Sequence, residues 1–191
     1  MTVGARFQAL NQIIRSHALR APVSDHHFRA CQELWPWLSD LGIRDALEVG
    51  AGEPPYLLTR MLRERGIACL TMDAVSECDV PGDAHAIPCA NGGFDLVAAR
   101  HVLEHVLCPY LVLSEMARVS RRWVLVVAPG LSEKTLNWPD HLWYLPAEGY
   151  GRMFRKLGLS VVRHEEGDHT EQHSLDAGLS PDREWRWLLS K

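Results

Sequence analysis

Two glycines, Gly50 and Gly52, follow an acid in the stretch Glu48-Val49-Gly50-Ala51-Gly52-Glu53-Pro54. A turn this poor in side chains lets the backbone approach a ligand closely. A helix beginning just after it aims N–H groups and a positive dipole end at the same space. Asp73 follows about 20 residues on, the interval at which nucleotide-binding α/β folds place an acid against the ribose hydroxyls. A dinucleotide fold would have its third glycine where Pro55 stands, so a ligand with a ribose but no pyrophosphate fits better than a nicotinamide cofactor. Further along, His101, Glu104 and His105 crowd one short segment, and His141 lies in Asp140-His141-Leu142-Trp143-Tyr144-Leu145-Pro146. Histidine exchanges protons near neutrality and is the natural general base where a nucleophile must lose one. His101 and His141 are the candidate catalytic residues. Trp138, Trp143 and Tyr144 are candidates for an aromatic wall. The structural alternative gives His105 a backbone bond at a helix start and Glu104 a role as helix-dipole partner. His164, His169 and His173 match no ligand spacing, so no metal site is expected.

The elements that must position these residues follow from the hydrophobic pattern. Phe7, Leu10, Ile13 and Ile14 share a helical face, and a second helix from about Ser24 carries Phe28, Cys31, Leu34, Trp35 and Leu38, bent by Pro36. From residue 45 the period changes. Short apolar strands at 45–49, 67–72, 94–99, 122–127, 159–163 and 184–190 alternate with helical stretches. Pro54 and Pro55 suit the first turn of one helix, which Gly66 stops. A second helical segment runs from about Leu103 to Val119, interrupted at Pro109, and would carry Glu104 and His105 in its first turn on the face of His101. A third spans Pro146–Leu157. Such alternation gives a doubly wound, mainly parallel sheet with ligands beyond the carboxyl ends of its strands. A helical cap over 1–40 and a core over 41–191 are expected within one structural domain.

Composition narrows the classes. The 191 residues are 47% hydrophobic and 23% charged, with a net charge of −4. The acidic balance argues against a nucleic-acid partner. No apolar run is long enough to span a bilayer, and the first residues lack a signal-peptide core. A cytoplasmic protein, monomer or homodimer, is expected. Five cysteines without CxxC spacing indicate buried thiols rather than disulfides, with Cys69 and Cys108 in apolar context.

Taken together, these motifs resemble those of the class I S-adenosylmethionine-dependent methyltransferases, of the compact type without a lid domain. The matching residues are Glu48, Gly50 and Gly52, then Asp73, then Asp83-Ala84-His85-Ala86-Ile87-Pro88, then Phe94-Asp95-Leu96-Val97-Ala98-Ala99-Arg100-His101-Val102-Leu103-Glu104-His105-Val106. The family often has a further glycine where this chain has Pro54. The resemblance implies a Rossmann-like seven-stranded sheet ending in a hairpin, with S-adenosylmethionine as cofactor and S-adenosylhomocysteine as product. It implies that Gly50 and Gly52 pass beside the methionine part, with Glu48 fixing the turn or the amino group. Asp73 would hold the ribose and Asp83 the adenine amino group, with the Ala84 N–H facing the ring. Arg100 and His101 would line the methionine moiety. The implied activity is methyl transfer to O or N of a small-molecule acceptor. The alternatives are a non-catalytic cofactor-binding protein and an NAD(P)-dependent reductase.

Overall fold

The computed structural model describes residues 25–168 and 183–191. Two short helices, α1 (Asp25–Gln32) and α2 (Trp35–Leu38), precede β1 (Asp45–Val49), α3 (Leu57–Arg63), β2 (Ala68–Asp73) and the two-residue β3 (Val80–Pro81). A 3-10 turn (Ala84–Ala86) leads to β4 (Phe94–Arg100), α4 (Pro109–Val119), β5 (Ser120–Pro129), α5 (Glu133–Leu136) and α6 (Ala147–Lys156). The chain closes with β6 (Ser160–Asp168) and β7 (Arg183–Ser190). The strands form one sheet in the order β3-β2-β1-β4-β5-β7-β6. β7 enters antiparallel between β5 and β6, and the other six strands run parallel to one another. The doubly wound arrangement expected from the sequence is present. The order reverses at β1 and β4, so the crevice beyond their carboxyl ends is the switch point.

Each central strand is apolar throughout because both faces are covered. Alternate residues feed two cores. Leu47, Val49, Val97, Ala99, Val124 and Val126 pack with Val112, Leu113 and Met116 of α4 and with Tyr150 and Phe154 of α6. Ala46, Leu96, Ala98 and Leu125 pack with Leu58, Met61 and Leu62 of α3. Cys31, Leu34, Trp37 and Leu38 complete that second cluster. The residues expected as the end of a helical cap thus share a core with the sheet. The helix expected around Phe7–Ile14 and most of the loop 166–183 lie outside the described residues. Among the described residues no helix is long and apolar enough to cross a membrane.

Three local expectations are corrected. Pro54 and Pro55 precede their helix rather than open it. A residue before proline is driven out of the α region, and Tyr56, with φ 44°, stands in the left-handed region before Leu57. The segment after β4 is not helical until Pro109, which takes the first position of α4. Glu104 and His105 therefore sit in an irregular turn, not on a helix face. Cys108, directly before that helix, is exposed, whereas Cys69 is buried.

Candidate active site

The first loop of the site is built by glycine. Gly50 and Gly52 have φ of 69° and 68°, values that side chains disfavour. They turn the chain sharply off β1, and the Gly50 and Ala51 N–H groups bond the Met72 carbonyl. Asp73, at the end of the neighbouring strand, fixes the same turn. Its Oδ2 accepts from the Gly52 N–H at 3.0 Å, and its Oδ1 accepts from Val75 and Ser76 at 2.8 and 3.0 Å. The acid expected about 20 residues beyond the glycines thus touches the glycine turn itself.

These residues open onto a cavity of about 270 Å³. Gly50, Gly52, Asp73, Asp83, Ala84 and His101 all line it. So do His85, Val102 and His105. Asp83 caps the 3-10 turn by accepting from the His85 N–H at 2.9 Å, and its Oδ1 also meets His85 Nδ1 at 2.7 Å. The Cys108 N–H donates to His85 Nε2 at 3.1 Å. That nitrogen is therefore an acceptor and Nδ1 carries the proton. A neutral His85 links Asp83 to the start of α4, a role the sequence did not reveal.

Three expected residues, Glu48, Arg100 and His141, are not on the cavity wall. Glu48 alternates onto the opposite face of β1 from Leu47 and Val49. There its Oε2 accepts from the Thr59 N–H at 2.8 Å and the Thr59 hydroxyl at 2.6 Å, tying β1 to α3. Burial pushes its carboxyl up, against the lowering effect of those Thr59 bonds. Arg100 ends β4 with its guanidinium 3.5 Å from the Glu184 carboxylate.

His101 is the most constrained side chain in the site. Its backbone is left-handed at φ 53°, a conformation in which histidine is enriched among non-glycine residues. The His101 N–H bonds the Val127 carbonyl at 2.8 Å. Its ring lies between two fully buried carboxylates. Nε2 is 3.0 Å from Glu184 Oε2, and Nδ1 is 3.4 Å from Glu104 Oε1. Burial and Arg100 push its pKa down, but the facing carboxylates of Glu104 and Glu184 prevail and the net shift is upward. An imidazole facing a carboxylate at each nitrogen favours the doubly protonated form. Glu184 was missed because its partner is 83 residues away. The signal available in the sequence was a pair of charges, Glu184 and Arg186, alternating within an otherwise apolar strand. Both are buried, with Arg186 Nε on Glu184 Oε1 at 2.7 Å.

His141 stands beside this cluster, behind His105, with ring centroids 4.9 Å apart. The loop is held by its backbone, as the Leu142 and Trp143 N–H groups bond the Glu104 carbonyl at 2.7 and 3.2 Å. Trp143 Nε1 donates to the Val106 carbonyl at 2.7 Å. Trp138 and Tyr144 flank the His141 ring, each at 6.2 Å, and all three aromatics are partly exposed. Burial pushes the His141 pKa down, against the raising effect of Glu104.

A seven-stranded sheet of this order, with a glycine turn and two acids around one cavity at its switch point, defines a class I S-adenosylmethionine-dependent methyltransferase. The chain belongs to the methyltransferase domain family, which matches residues 20–164. No curated protein matches it by sequence. Among solved structures it is similar to the 1,6-didemethyltoxoflavin-N1-methyltransferase of Burkholderia thailandensis, with a TM-score of 0.73 and 15% identity over 100% of this chain and 91% of that one. It is similar to the magnesium protoporphyrin IX methyltransferase of Synechocystis PCC 6803, with a TM-score of 0.67 and 15% identity over 95% and 99%. It is also similar to the cyclase SpnF, with a TM-score of 0.67 and 16% identity over 90% and 83%.

Proposed function

We propose that the protein transfers a methyl group from S-adenosylmethionine to an oxygen or nitrogen of a small-molecule acceptor. The carrying observation is the cavity flanked by the Gly50–Gly52 turn, Asp73 and Asp83, with His101 and His105 on its wall. The residues suit this donor. Asp73 retains lone pairs for ribose hydroxyls, the Asp83–Ala84 corner suits an adenine edge, and the glycines leave room for the methionine part. Two solved structures of this fold carry bound S-adenosylhomocysteine, and one of them also holds 1,6-didemethyltoxoflavin.

The bound sulfonium supplies an activated methyl group, and the protein has to align the acceptor and exclude water. His101, its pKa raised by the carboxylates at both ring nitrogens, favours the protonated form and is better suited to charge stabilisation than to proton removal. His141, with its pKa pushed down, keeps a lone pair and is the remaining histidine for a proton that must leave. Trp138 and Tyr144, which flank the His141 ring, and Trp143 from the same loop are the proposed aromatic wall for an acceptor.

Calorimetric titration with S-adenosylhomocysteine tests the cofactor half, with Asp73→Ala as the variant expected to lose binding. Incubation with radiolabelled donor and a panel of hydroxy and amino compounds tests transfer. Tight binding with no transfer to any acceptor would favour a cofactor-binding protein without catalysis. Stabilisation by NAD(P) in place of the sulfonium would sink the proposal.

A further inference from the structure

We propose that Glu104, His105 and His141 form a binding site for a divalent first-row transition-metal ion beside the cavity, whose wall His105 shares. One ligand atom from each lies within 4.8 Å of the others. Two imidazoles and one carboxylate are a donor set that suits zinc, iron, cobalt or manganese, assembled where the loop carrying His141 folds onto the Glu104 carbonyl.

The hydrogen bonds around the cluster orient it for an ion. His105 Nδ1 lies 2.9 Å from the Asp140 carbonyl, and His141 Nδ1 lies 3.1 Å from the Thr135 carbonyl. A carbonyl only accepts, so each Nδ1 carries the proton and each neutral ring leaves its Nε2 lone pair available. Metal-binding histidines are commonly fixed in this way, the second nitrogen donating to a backbone carbonyl. Glu104 is 0% exposed, and neither of its carboxylate oxygens accepts a hydrogen bond of ordinary geometry. His101 Nδ1 and His105 Nε2 stand off from Oε1 at 3.4 and 3.9 Å. The His101 ring faces Oε1 from 3.4 Å, whereas the buried Oε2 meets no donor among the described residues and is the oxygen a metal ion would complete. Ligands around one ion at about 2.0–2.2 Å sit roughly 3–3.5 Å from each other, so the cluster has to contract by about an ångström.

Three protein ligands leave further coordination positions for water or an oxygen of another molecule. His105 also lines the cavity, so those positions lie beside it. An ion there would hold an acceptor hydroxyl and lower its pKa, replacing proton removal by His141. That use of the ion rests on the methyltransferase reading proposed above. Ion binding itself does not.

The test is a titration of the metal-free protein with Co²⁺, followed by visible absorption, and displacement of the bound Co²⁺ by Zn²⁺. The expected result is one ion per chain, with His105→Ala, His141→Ala and Glu104→Gln each weakening binding by more than the roughly 10–100-fold that losing an outer-shell partner costs. His141→Gln keeps an amide near the Thr135 carbonyl and serves if the alanine variant misfolds. No binding by the folded wild-type protein, or binding unchanged in the variants, overturns the site. Titration of the same samples with S-adenosylhomocysteine reports separately on the cofactor half of the proposed function.

Discussion

Alanine at Gly50 and alanine at Gly52 should differ sharply in cost, although the two glycines share a turn and nearly the same φ. The backbone penalty of a side chain in the left-handed region, about 1–2 kcal/mol, applies to both. A Cβ on Gly52 meets nothing within 4 Å. A Cβ on Gly50 would overlap Val102 Cγ2, with Cγ1 at 3.1 Å and Cβ at 3.3 Å. Val102 is 8% exposed and cannot swing into water. Forcing extra volume into such packing costs about 1–3 kcal/mol more. Gly50→Ala is therefore expected to lose about 2–5 kcal/mol and Gly52→Ala about 1–2 kcal/mol. Folded domains have only about 5–15 kcal/mol in all. Urea unfolding of both variants, with Val102→Ala and the Gly50→Ala/Val102→Ala double variant, isolates the clash. The double-mutant cycle should return a favourable coupling of about 1–3 kcal/mol. In S-adenosylhomocysteine titrations Gly52→Ala should stay folded yet bind weakly, because its new methyl stands in a turn that borders the cavity. Equal destabilisation by the two substitutions, or a cycle without coupling, would refute the assignment of Val102 as the wall against which this turn is built.

Asp73→Ala removes the acceptor of three backbone N–H groups and the proposed ribose contact. With bonds to charged groups contributing about 1.5–3 kcal/mol each, a loss of about tenfold or more in S-adenosylhomocysteine affinity is expected by calorimetry. Thr59→Val deprives the buried Glu48 carboxyl of its hydroxyl donor while keeping side-chain volume, and should cost about 1–3 kcal/mol in urea unfolding. The upward pKa shift of His101 makes its protonation stabilising. That contribution is complete below the ordinary histidine value of about 6.5 and is lost as pH rises through the higher folded-state value. Subtracting a His101→Gln unfolding series from the wild type between pH 6 and 9 should reveal a stability difference that shrinks with rising pH. A difference that grows instead would mean the ring is held neutral.

Much of the scaffold was legible because it is governed by local rules. Apolar runs flanked by glycine and proline mark strands buried on both faces. Gly50 and Gly52 announce a turn that side chains resist, and Asp73 and Asp83 stand at strand and turn ends where Val75, Ser76 and His85 offer backbone N–H groups near in sequence. The apolar pattern Val102, Leu103, Val106 also reads as helix, whereas the structure holds these residues in a turn before α4, Val102 and Leu103 buried and Val106 partly so. Glu48 was read as a cavity residue. Its place on the alternating strand sent it to the other face, where Thr59 of α3 receives it. What the tertiary structure alone decided is the meeting of remote segments. β7 returns beside β5 and inserts Glu184 next to His101, and the Asp140–Pro146 loop folds back on the Glu104 carbonyl, bringing His141 to Glu104 and His105. Steric preferences act over a few residues and are written in neighbouring side chains. Contacts between buried charges and ring nitrogens depend on sheet order and loop closure, which no local pattern records.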